Sequence, residues 1–225
     1  WNGKGRDANT ECLVYRPDFD RALMGELAER EVVWTRGRIR GRTRQGGTWV
    51  VGVESPAGPQ DLHADFLVEA RGRQAGWSGR NRLRGPETVS VGLNWSSDPG
   101  QAFSAVSSME EGWLWLARFE DGRLFSQYTT HAKNRFLSPK QNILTLLDTL
   151  LRDLEVPGVS IARRHPQGEP LARSSTAILP EEPAEASLLR VGDAAMAVGP
   201  LSGNGIFQSL SSALAAPAVI NTLLQ

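Results

Sequence analysis

The segment from Leu188 to Ile206 limits the possible folds of this chain more than any other part. It reads Leu-Leu-Arg-Val-Gly-Asp-Ala-Ala from residue 188 and Gly-Pro-Leu-Ser-Gly-Asn-Gly-Ile from residue 199. This order predicts a short apolar strand over 188–192, a glycine-rich turn, and a final helix over about 203–223. Asp193 then follows the carboxyl end of a buried strand, which is where α/β sheets bind their ligands.

The residue types in this turn suit a flat, partly anionic ligand. The carboxylate of Asp193 can accept hydrogen bonds from sugar-like hydroxyl groups. Gly203 and Gly205 have no Cβ atom, so a planar group can approach the backbone beside them. The start of the last helix offers free N–H groups and the positive end of the helix dipole. The alternative is an ordinary strand–turn–helix in which the glycines only provide flexibility.

The rest of the chain reads as a mixture of strands and helices that do not alternate strictly. Helices are predicted over 18–30, with Asp18 as the cap, and over 139–154. The second has a Ser138/Gln141 capping box, Pro139 in its first turn and a stop at Pro157-Gly158. Its apolar stripe contains Ile143, Leu146, Leu147, Leu150, Leu151 and Leu154. Extended segments are predicted at 32–40, 48–54, 61–70, 87–95, 102–107, 112–119, 123–130 and 170–179, with a loop over 71–86. This order predicts an α+β fold in two layers.

Composition excludes several classes of protein. Equal numbers of acidic and basic residues, 25 of each, make nucleic acid an unlikely main partner. No run approaches 18 apolar residues, so we expect no membrane-spanning helix. Cys12 is the only cysteine, which favours a reducing compartment, and we expect a cytoplasmic protein. His63, His131 and His165 are scattered, so we expect no zinc site.

The glycine-rich string resembles the second FAD fingerprint of flavoproteins with the p-hydroxybenzoate hydroxylase-like fold. The resemblance implies that Asp193, after Gly192, binds the flavin ribityl chain. It also implies that a second set of residues lies beside the isoalloxazine ring: Pro200, Gly203, Asn204, Gly205 and Ile206. Met196 stands where many members of the family have histidine, so no role of that histidine carries over.

Two further segments match the same family in the same order. Residues 15–23 resemble its Arg-x-x-Phe-Asp-x-x-Leu helix start, which implies that Arg16 lies near the FAD. Residues 65–73 resemble a strand ending in Asp-Ala-Thr-Gly-Arg, with Glu69 in place of the aspartate and Arg71 in place of the threonine. Taken alone, Glu69 is typical of a solvated charge at a strand end.

The segment Glu111-Gly112-Trp113-Leu114-Trp115-Leu116 resembles the Gly-Trp-x-Trp strand of tryptophan-halogenase-like flavoproteins. Their relatives include enzymes that hydroxylate tryptophan during quinone-cofactor maturation. Trp113 and Trp115 are two residues apart on a predicted strand, so both rings should lie on one face. They are either a wall beside the substrate or aromatic packing across the sheet. Ala117-Arg118 replaces the Ile-Pro of the halogenases, which weakens the case for halogenation.

The resemblance implies an α/β FAD-binding remainder over 1–85 and 180–225 and an antiparallel substrate sheet over 86–179. No Gly-x-Gly-x-x-Gly follows a strand, so we expect the N-terminal βαβ unit to be missing and the chain to be a piece of a longer protein. The implied activity is FAD-dependent monooxygenation of a small-molecule or peptidyl aromatic substrate of the tryptophan type, with NAD(P)H as a candidate reductant. No catalytic acid or base stands out, and the oligomeric state is not predicted.

Two alternatives remain open on the sequence. One is a flavin-dependent halogenase. The other is a non-catalytic binding module that uses an arginine-rich surface. Arg36, Arg38, Arg40, Arg42 and Arg44 alternate and should share one face of a strand. That face is either an exposed outer surface or a site for anions.

Overall fold

The computed structural model describes residues 12–76, 82–134, 137, 140–155 and 160–224. The helices are α1 (Arg16–Ala28), α2 (Lys140–Arg152) and α3 (Gly205–Leu223). The strands are β1 (Arg38–Gln45), β2 (Thr48–Ser55), β3 (Gly58–Ala64), β4 (Leu67–Glu69), β5 (Arg82–Arg84), β6 (Thr88–Ser97), β7 (Phe103–Met109), β8 (Gly112–Arg118), β9 (Arg123–His131), β10 (Arg164–Ser174), β11 (Ile178–Pro180), β12 (Ala184–Glu185) and β13 (Leu188–Arg190). The predicted α+β class is confirmed.

A five-stranded antiparallel sheet carries the main core. Its strand order is β10-β6-β9-β8-β7, and α2 packs on one of its faces. Ile143, Leu147 and Leu151 of the predicted stripe are buried in one core cluster with Val91 and Leu93 of β6 and Leu124 of β9. Burial of this stripe accounts for the position of α2, because each large aliphatic side chain removed from water contributes about 1.5–3 kcal/mol. Ser138, Pro139 and Pro157-Gly158 lie outside the described residues, as does the side chain of Gln141.

A separate three-stranded sheet, ordered β1-β2-β3, covers a second layer of strands. That second layer is ordered β12-β13-β4, and β13 pairs with β4 in parallel. The indole Nε1 of Trp49 in β2 donates to the backbone oxygen of Ser187, at 2.9 Å, and joins the two sheets. The proposed division into residues 1–85 with 180–225 and residues 86–179 stays a prediction.

The first strand begins at Arg38, so the prediction of a strand over 32–40 is wrong for residues 32–37. The hairpin between β1 and β2 turns at Gly46-Gly47, where both φ angles are positive. Strand β1 begins at Arg38 because its pairing with β2 begins there, opposite Glu54. The register shifts between Ile39 and Gly41, which leaves Arg40 as an extra, bulged residue. Such a bulge changes the side to which the following side chains point.

The bulge separates the arginines of β1, so the prediction that they share one face is wrong. Arg40 pairs with Glu54 on one face of the sheet. Arg42 and Arg44 stack on Trp49 on the other face, with guanidinium carbons 4.6 and 5.8 Å from the ring centroid. The arginines therefore interact with carboxylates and an indole ring rather than forming one continuous cationic surface.

The first helix differs from expectation in its cap, whereas the last helix lies where the sequence predicts it. Tyr15 is the N-cap of α1, so Asp18 lies in the first turn and pairs with Arg21 at 2.9 Å instead of capping the helix. Helix α3 runs through Pro217 to Leu223 without a break. It has 19 residues and is long and apolar enough to cross a membrane by length and composition, with 6% of the apolar window buried. The expectation of no membrane-spanning helix stays a prediction.

Candidate functional site

The turn after β13 has the geometry that only glycine adopts without strain. Gly192 has a φ of +57°, and its N–H donates to Ser212 Oγ of α3 at 2.8 Å. A Cβ atom at this position would lie 3.0 Å from Ser209 Oγ. The turn thus packs closely on α3, and any side chain at residue 192 would push the two apart. This packing fixes the start of the segment that the sequence singled out.

Asp193 follows in a short 3₁₀ turn, Gly192–Ala194, and is half-buried. Among the described residues, no donor forms a hydrogen bond or ion pair with its carboxylate. A half-buried carboxylate normally has partners, because burial without them is costly. The side chain is therefore available to a ligand with hydroxyl groups. Met196, three residues later, is exposed, and its backbone oxygen accepts a hydrogen bond from the side chain of Gln208 at 2.7 Å.

The start of α3 is open on the side of its glycines. Gly203 has a φ of +65°, and Asn204, the N-cap residue, makes no side-chain cap. A Cβ atom built on Gly199, Gly203 or Gly205 meets no described atom within 4 Å. Within the described part of the chain, the space beside these glycines at the start of the helix is therefore open to a planar group. Pro200 and Ile206 are both half-buried beside this opening.

Glu69 lies beside this turn, and the sequence did not predict that it is buried. It ends β4 in register with Arg190 and is only 1% exposed, so the interpretation as a solvated charge is wrong. Arg71 binds its carboxylate with two guanidinium nitrogens, at 2.8 and 2.5 Å, and with its backbone N–H at 3.1 Å. The Glu69-x-Arg71 spacing could have predicted this pair, because a side chain can bind the carboxylate of a strand-end residue two positions earlier.

The environment of Glu69 keeps it ionised. Burial by itself raises the pKa of the carboxyl group. The hydrogen bonds from Arg71 and the positive charges of Arg71 and Arg190 outweigh it, so the pKa of Glu69 is lowered overall. Arg190 is anchored from the other side, where it donates to Glu185 at 2.7 Å. The carboxyl ends of the two parallel strands are therefore held together by charge pairs just before the Gly192 turn.

Arg73, the last residue of the family-like segment 65–73, connects this region to the larger sheet. Its guanidinium donates to the backbone oxygen of Val198, at 3.4 Å, and to that of Thr176. Thr176 Oγ1 in turn accepts from the backbone N–H of Thr88 at the start of β6, at 3.0 Å. The turn that carries Asp193 is thus tied to the sheet that carries the tryptophans.

The polar contacts of Arg16 lie on α1, away from this turn. It forms an exposed pair with Asp20 on its own helix, at 3.1 Å. The helix contacts the β8–β9 hairpin, where Arg123 stacks on Tyr15 with its guanidinium carbon 4.5 Å from the ring centroid. Among the described residues, Arg16 forms no hydrogen bond or ion pair with the segment from 192 to 206.

The tryptophans lie on the face of the five-stranded sheet opposite to α2. The register pairs Trp113 with Ser108 and Thr129, and Trp115 with Val106 and Gln127. Leu114 and Leu116, which alternate with them, point into the core. The predicted common face of the two rings is therefore confirmed. We call this surface, made of Val106, Ser108, Trp113, Trp115, Phe125, Gln127, Thr129, Ser90 and Gly92, the open face.

These nine residues are aromatic, polar or small and carry no charge, and Arg173 of β10 lies opposite Ser90 at the border of the same face. Trp115 packs edge-on against Phe125, with ring centroids 5.8 Å apart. Phe125 also fills the space above Gly92, where a Cβ atom would lie 2.7 Å from the ring. Ser90 and Thr129 form a hydroxyl pair at 2.7 Å. Trp115 is thus held by cross-strand packing, and Trp113 has no ring contact within the described part of the chain.

Comparison with known proteins comes from structure alone, since no protein-family model and no curated protein sequence matches. The peptidyl tryptophan dihydroxylase QhpG, essential for tryptophylquinone cofactor biogenesis, is 48% identical with a TM-score of 0.73, over 93% of this chain and 48% of that chain. The flavin-dependent halogenase CmlS is 18% identical with a TM-score of 0.81, over 92% of this chain and 40% of that chain. The myxobacterial chondrochloren halogenase CndH, a variant of FAD-dependent halogenases, is 19% identical with a TM-score of 0.79, over 93% and 52%.

The chain spans about half the length of these solved relatives. The halogenases share only the fold at such identities, whereas the dihydroxylase also shares nearly half of the aligned residues. The predicted resemblance to tryptophan-halogenase-like flavoproteins and their tryptophan-hydroxylating relatives is therefore confirmed. This chain has the mixed α/β fold of the FAD-dependent hydroxylases and halogenases.

Proposed function

We propose that the protein containing this chain is an FAD-dependent oxidoreductase that hydroxylates an aromatic substrate of the tryptophan type. The observation that carries the proposal is the 48% identity with a peptidyl tryptophan dihydroxylase over 93% of this chain. The aromatic surface around Trp113, Trp115 and Phe125 on the open face supports it, because an indole gains from apolar and aromatic contact. The same identity favours a peptidyl substrate over a small molecule, because that dihydroxylase acts on a peptidyl tryptophan.

The residues after β13 fit a flavin. Asp193 has an unpartnered carboxylate for ribityl hydroxyl groups, and Gly192 shapes the turn that presents it. The first-turn N–H groups over Gly203–Ile206 suit the anionic edge of a flavin ring, and the glycines leave room for its plane. Pro200 and Asn204 border the same opening. When bound, FAD supplies the two-electron chemistry with O₂ that side chains cannot perform.

The protein's own residues would bind the substrate, orient it and shield it from water. In a hydroxylation, one oxygen atom of O₂ enters a C–H bond of the substrate and the other leaves as water, with two electrons from a reductant. NAD(P)H is our proposed source of these electrons. Trp113 would contact the substrate ring, and Trp115 with Phe125 would form the rigid surface behind it. Arg16 would contribute to flavin binding only by leaving its ion pair with Asp20 and pairing with the cofactor instead.

Flavin binding by the full-length protein tests the cofactor site. The absorption spectrum with added FAD should show bound flavin, and Asp193→Ala should weaken the affinity about tenfold or more, since charge-assisted hydrogen bonds are lost. Asp61→Ala, an exposed aspartate on β3, is the control and should leave the affinity unchanged. Normal FAD affinity in Asp193→Ala would remove Asp193 from the site.

Turnover of a tryptophan-containing peptide tests the reaction. With FAD, a flavin reductant and O₂, mass spectrometry should show addition of oxygen atoms to the tryptophan. A product that forms only with chloride present would instead identify a halogenase. Absence of flavin binding together with tight, salt-sensitive protein binding would support the binding-module alternative. Trp113→Leu should raise KM for the peptide more than it lowers kcat, because it removes contact area and no reacting group.

A further inference from the structure

Two connecting segments join the β12-β13-β4 sheet to the five-stranded sheet. The first follows β4 and contains the 3₁₀ turn Gly72–Gln74, and the second follows β10 and contains β11. Asp193 comes after the sheet at one end of these connections, and the open face lies on the sheet at the other end. The contacts between the two segments therefore set the distance from the opening at the start of α3 to the tryptophans.

The second segment is fixed to the five-stranded sheet at its start. Thr176 Oγ1 accepts from the backbone N–H of Thr88 at 3.0 Å, and the N–H of Ser175 donates to the backbone oxygen of Thr88 at 3.0 Å. Ser175 and Thr176 are buried, and a buried polar group that loses its partner costs free energy. Thr88 begins β6, two residues before Ser90. Thr176 is therefore held at the start of a strand that forms part of the open face.

The same segment is fixed to the glycine-rich string at its other end. Ile178 and Ala197 each donate a backbone N–H to the backbone oxygen of the other, at 2.8 Å. Both residues are buried, and the glycine-rich string resumes at Gly199, two residues after Ala197. The turn Gly72–Gln74 of the first segment packs against the turn Gly192–Ala194. The two segments therefore meet beside the residues proposed to hold the flavin.

Arg73 bridges the two chains of this backbone pair with separate nitrogens. Its Nη2 donates to the backbone oxygen of Thr176, and its Nη1 donates to that of Val198 at 3.4 Å. Arg82 donates to the backbone oxygen of Arg73 at 3.2 Å, which fixes the position of Arg73. Among the described residues, no carboxylate forms an ion pair with Arg73, so its guanidinium group holds main-chain oxygens instead.

The planar guanidinium group suits this bridging position. Its N–H donors point in fixed directions, so one side chain can hold two oxygen atoms at a set separation. An ammonium group is a point charge on a flexible stem and fixes no such separation. One of the bridged chains leads to the open face, and the other leads to the flavin opening. Loss of the guanidinium group would therefore let these two sites move relative to each other.

We propose that Arg73 is a positioning residue, which sets the distance between the flavin and the bound tryptophan so that oxygen reaches the substrate instead of leaving as hydrogen peroxide. The inference rests on the proposed function. In the hydroxylation, one oxygen atom of O₂ enters a C–H bond, and the other takes two electrons and two protons and leaves as water. Without transfer, the same O₂, electrons and protons give hydrogen peroxide. A displacement of about 1 Å can slow a reaction step about 100-fold, so a small shift favours peroxide.

Hydrogen exchange on the full-length protein tests the bridge without relying on catalysis. In Arg73→Gln, the amides of Ile178 and Ala197 should exchange about tenfold faster or more, and those of β8 and β9 should change less than about twofold. Arg44→Gln is the matched control, because Arg44 also donates to a backbone oxygen, at 3.3 Å, but on the exposed β1–β2 hairpin. Unchanged exchange at Ile178 and Ala197 in Arg73→Gln would overturn the proposal, as would an equal rise in β8 and β9.

The ratio of hydrogen peroxide to hydroxylated peptide tests the consequence. With saturating FAD, NAD(P)H and a tryptophan-containing peptide, Arg73→Gln and Arg73→Lys should both raise this ratio about fivefold or more. The KM for the peptide should change less than about twofold, because the hydrogen bonds of Arg73 go to main-chain oxygens outside the open face. Arg44→Gln should keep the wild-type ratio. A wild-type ratio in Arg73→Lys would assign the effect to charge and overturn the positioning role.

Thr176→Val gives an independent result from the other side of the bridge. It keeps the shape of the side chain and the backbone oxygen that accepts from Arg73, and it removes the acceptor for the N–H of Thr88. This variant should also raise the ratio of peroxide to product, and it does so even where Arg73→Gln fails to fold. A wild-type ratio in Thr176→Val would overturn the proposal.

The outcomes separate this proposal from the proposed function. If the wild type hydroxylates the peptide and the Arg73 variants keep its ratio of peroxide to product, the positioning role is wrong and the hydroxylase assignment stands. If the wild type oxidises no tryptophan, the hydroxylase assignment fails, and the positioning role fails with it whatever the exchange rates show.

Discussion

Replacing Glu69 by glutamine removes one charge from the pair that holds the carboxyl end of β4. The substitution keeps the size of the side chain and one acceptor oxygen. It also places an amide NH₂ group among guanidinium donors, so one of the hydrogen bonds from Arg71 is lost. The remaining charges of Arg71 and Arg190 then lose the carboxylate between them.

The size of the effect follows from the burial of the two partners. Removing one member of a fully buried pair costs about 3–5 kcal/mol. The Arg71 side chain is 40% exposed and remains partly hydrated, so the cost should be smaller. We expect a loss of about 2 kcal/mol in the free energy of unfolding at neutral pH, which lowers the ratio of folded to unfolded protein roughly 30-fold.

The pH dependence identifies the charge as the cause. Because the folded-state pKa of Glu69 is lowered, its stabilisation is complete above the unfolded pKa of about 4.3. It is lost as pH falls through the lowered folded pKa. The difference in unfolding free energy between the wild type and Glu69→Gln should therefore be constant from about pH 6 to 8 and should shrink below about pH 4.

Urea unfolding at several pH values measures this difference. The control is Glu54→Gln, which breaks the exposed pair with Arg40 and should change stability much less. A loss for Glu69→Gln that equals the loss for the control would contradict the structural argument. So would a difference that persists unchanged at low pH, because it would then arise from packing rather than charge.

Three further substitutions test the packing and the site. Leu116→Ala, in the fully buried centre of β8, should lower the free energy of unfolding by about 2–5 kcal/mol in urea titrations, and a loss below 1 kcal/mol would contradict the described core. Gly112→Ala should lower the melting temperature sharply because its Cβ atom would lie 2.2 Å from a main-chain oxygen of β9, whereas Gly41→Ala, with open space, should not. Gly203→Ala and Gly46→Ala both force a side chain into a positive φ, so both should cost stability. Only Gly203→Ala should also weaken FAD binding by the full-length protein, and equal flavin affinities would place the cofactor elsewhere.

The sequence by itself determined the features that depend on local order. A short apolar strand followed by glycines predicts the turn and α3, since the chain has few conformations available there. The stripe from Ile143 to Leu154 repeats at helical spacing and predicts the buried face of α2. The separation of Trp113 and Trp115 by one residue places both rings on one face of any strand. None of these inferences needs a partner from a distant part of the chain.

The tertiary structure decided the features that depend on such partners. The bulge at Arg40 follows from the register with β2, and it sends neighbouring arginines to opposite faces. Glu69 is buried because β13, more than a hundred residues later, pairs beside it and contributes Arg190. The open face around Trp113 likewise exists only once the strand order of the sheet brings Ser108, Thr129 and Ser90 beside it. Periodicity specifies which side a residue faces, but only long-range pairing specifies what that side meets.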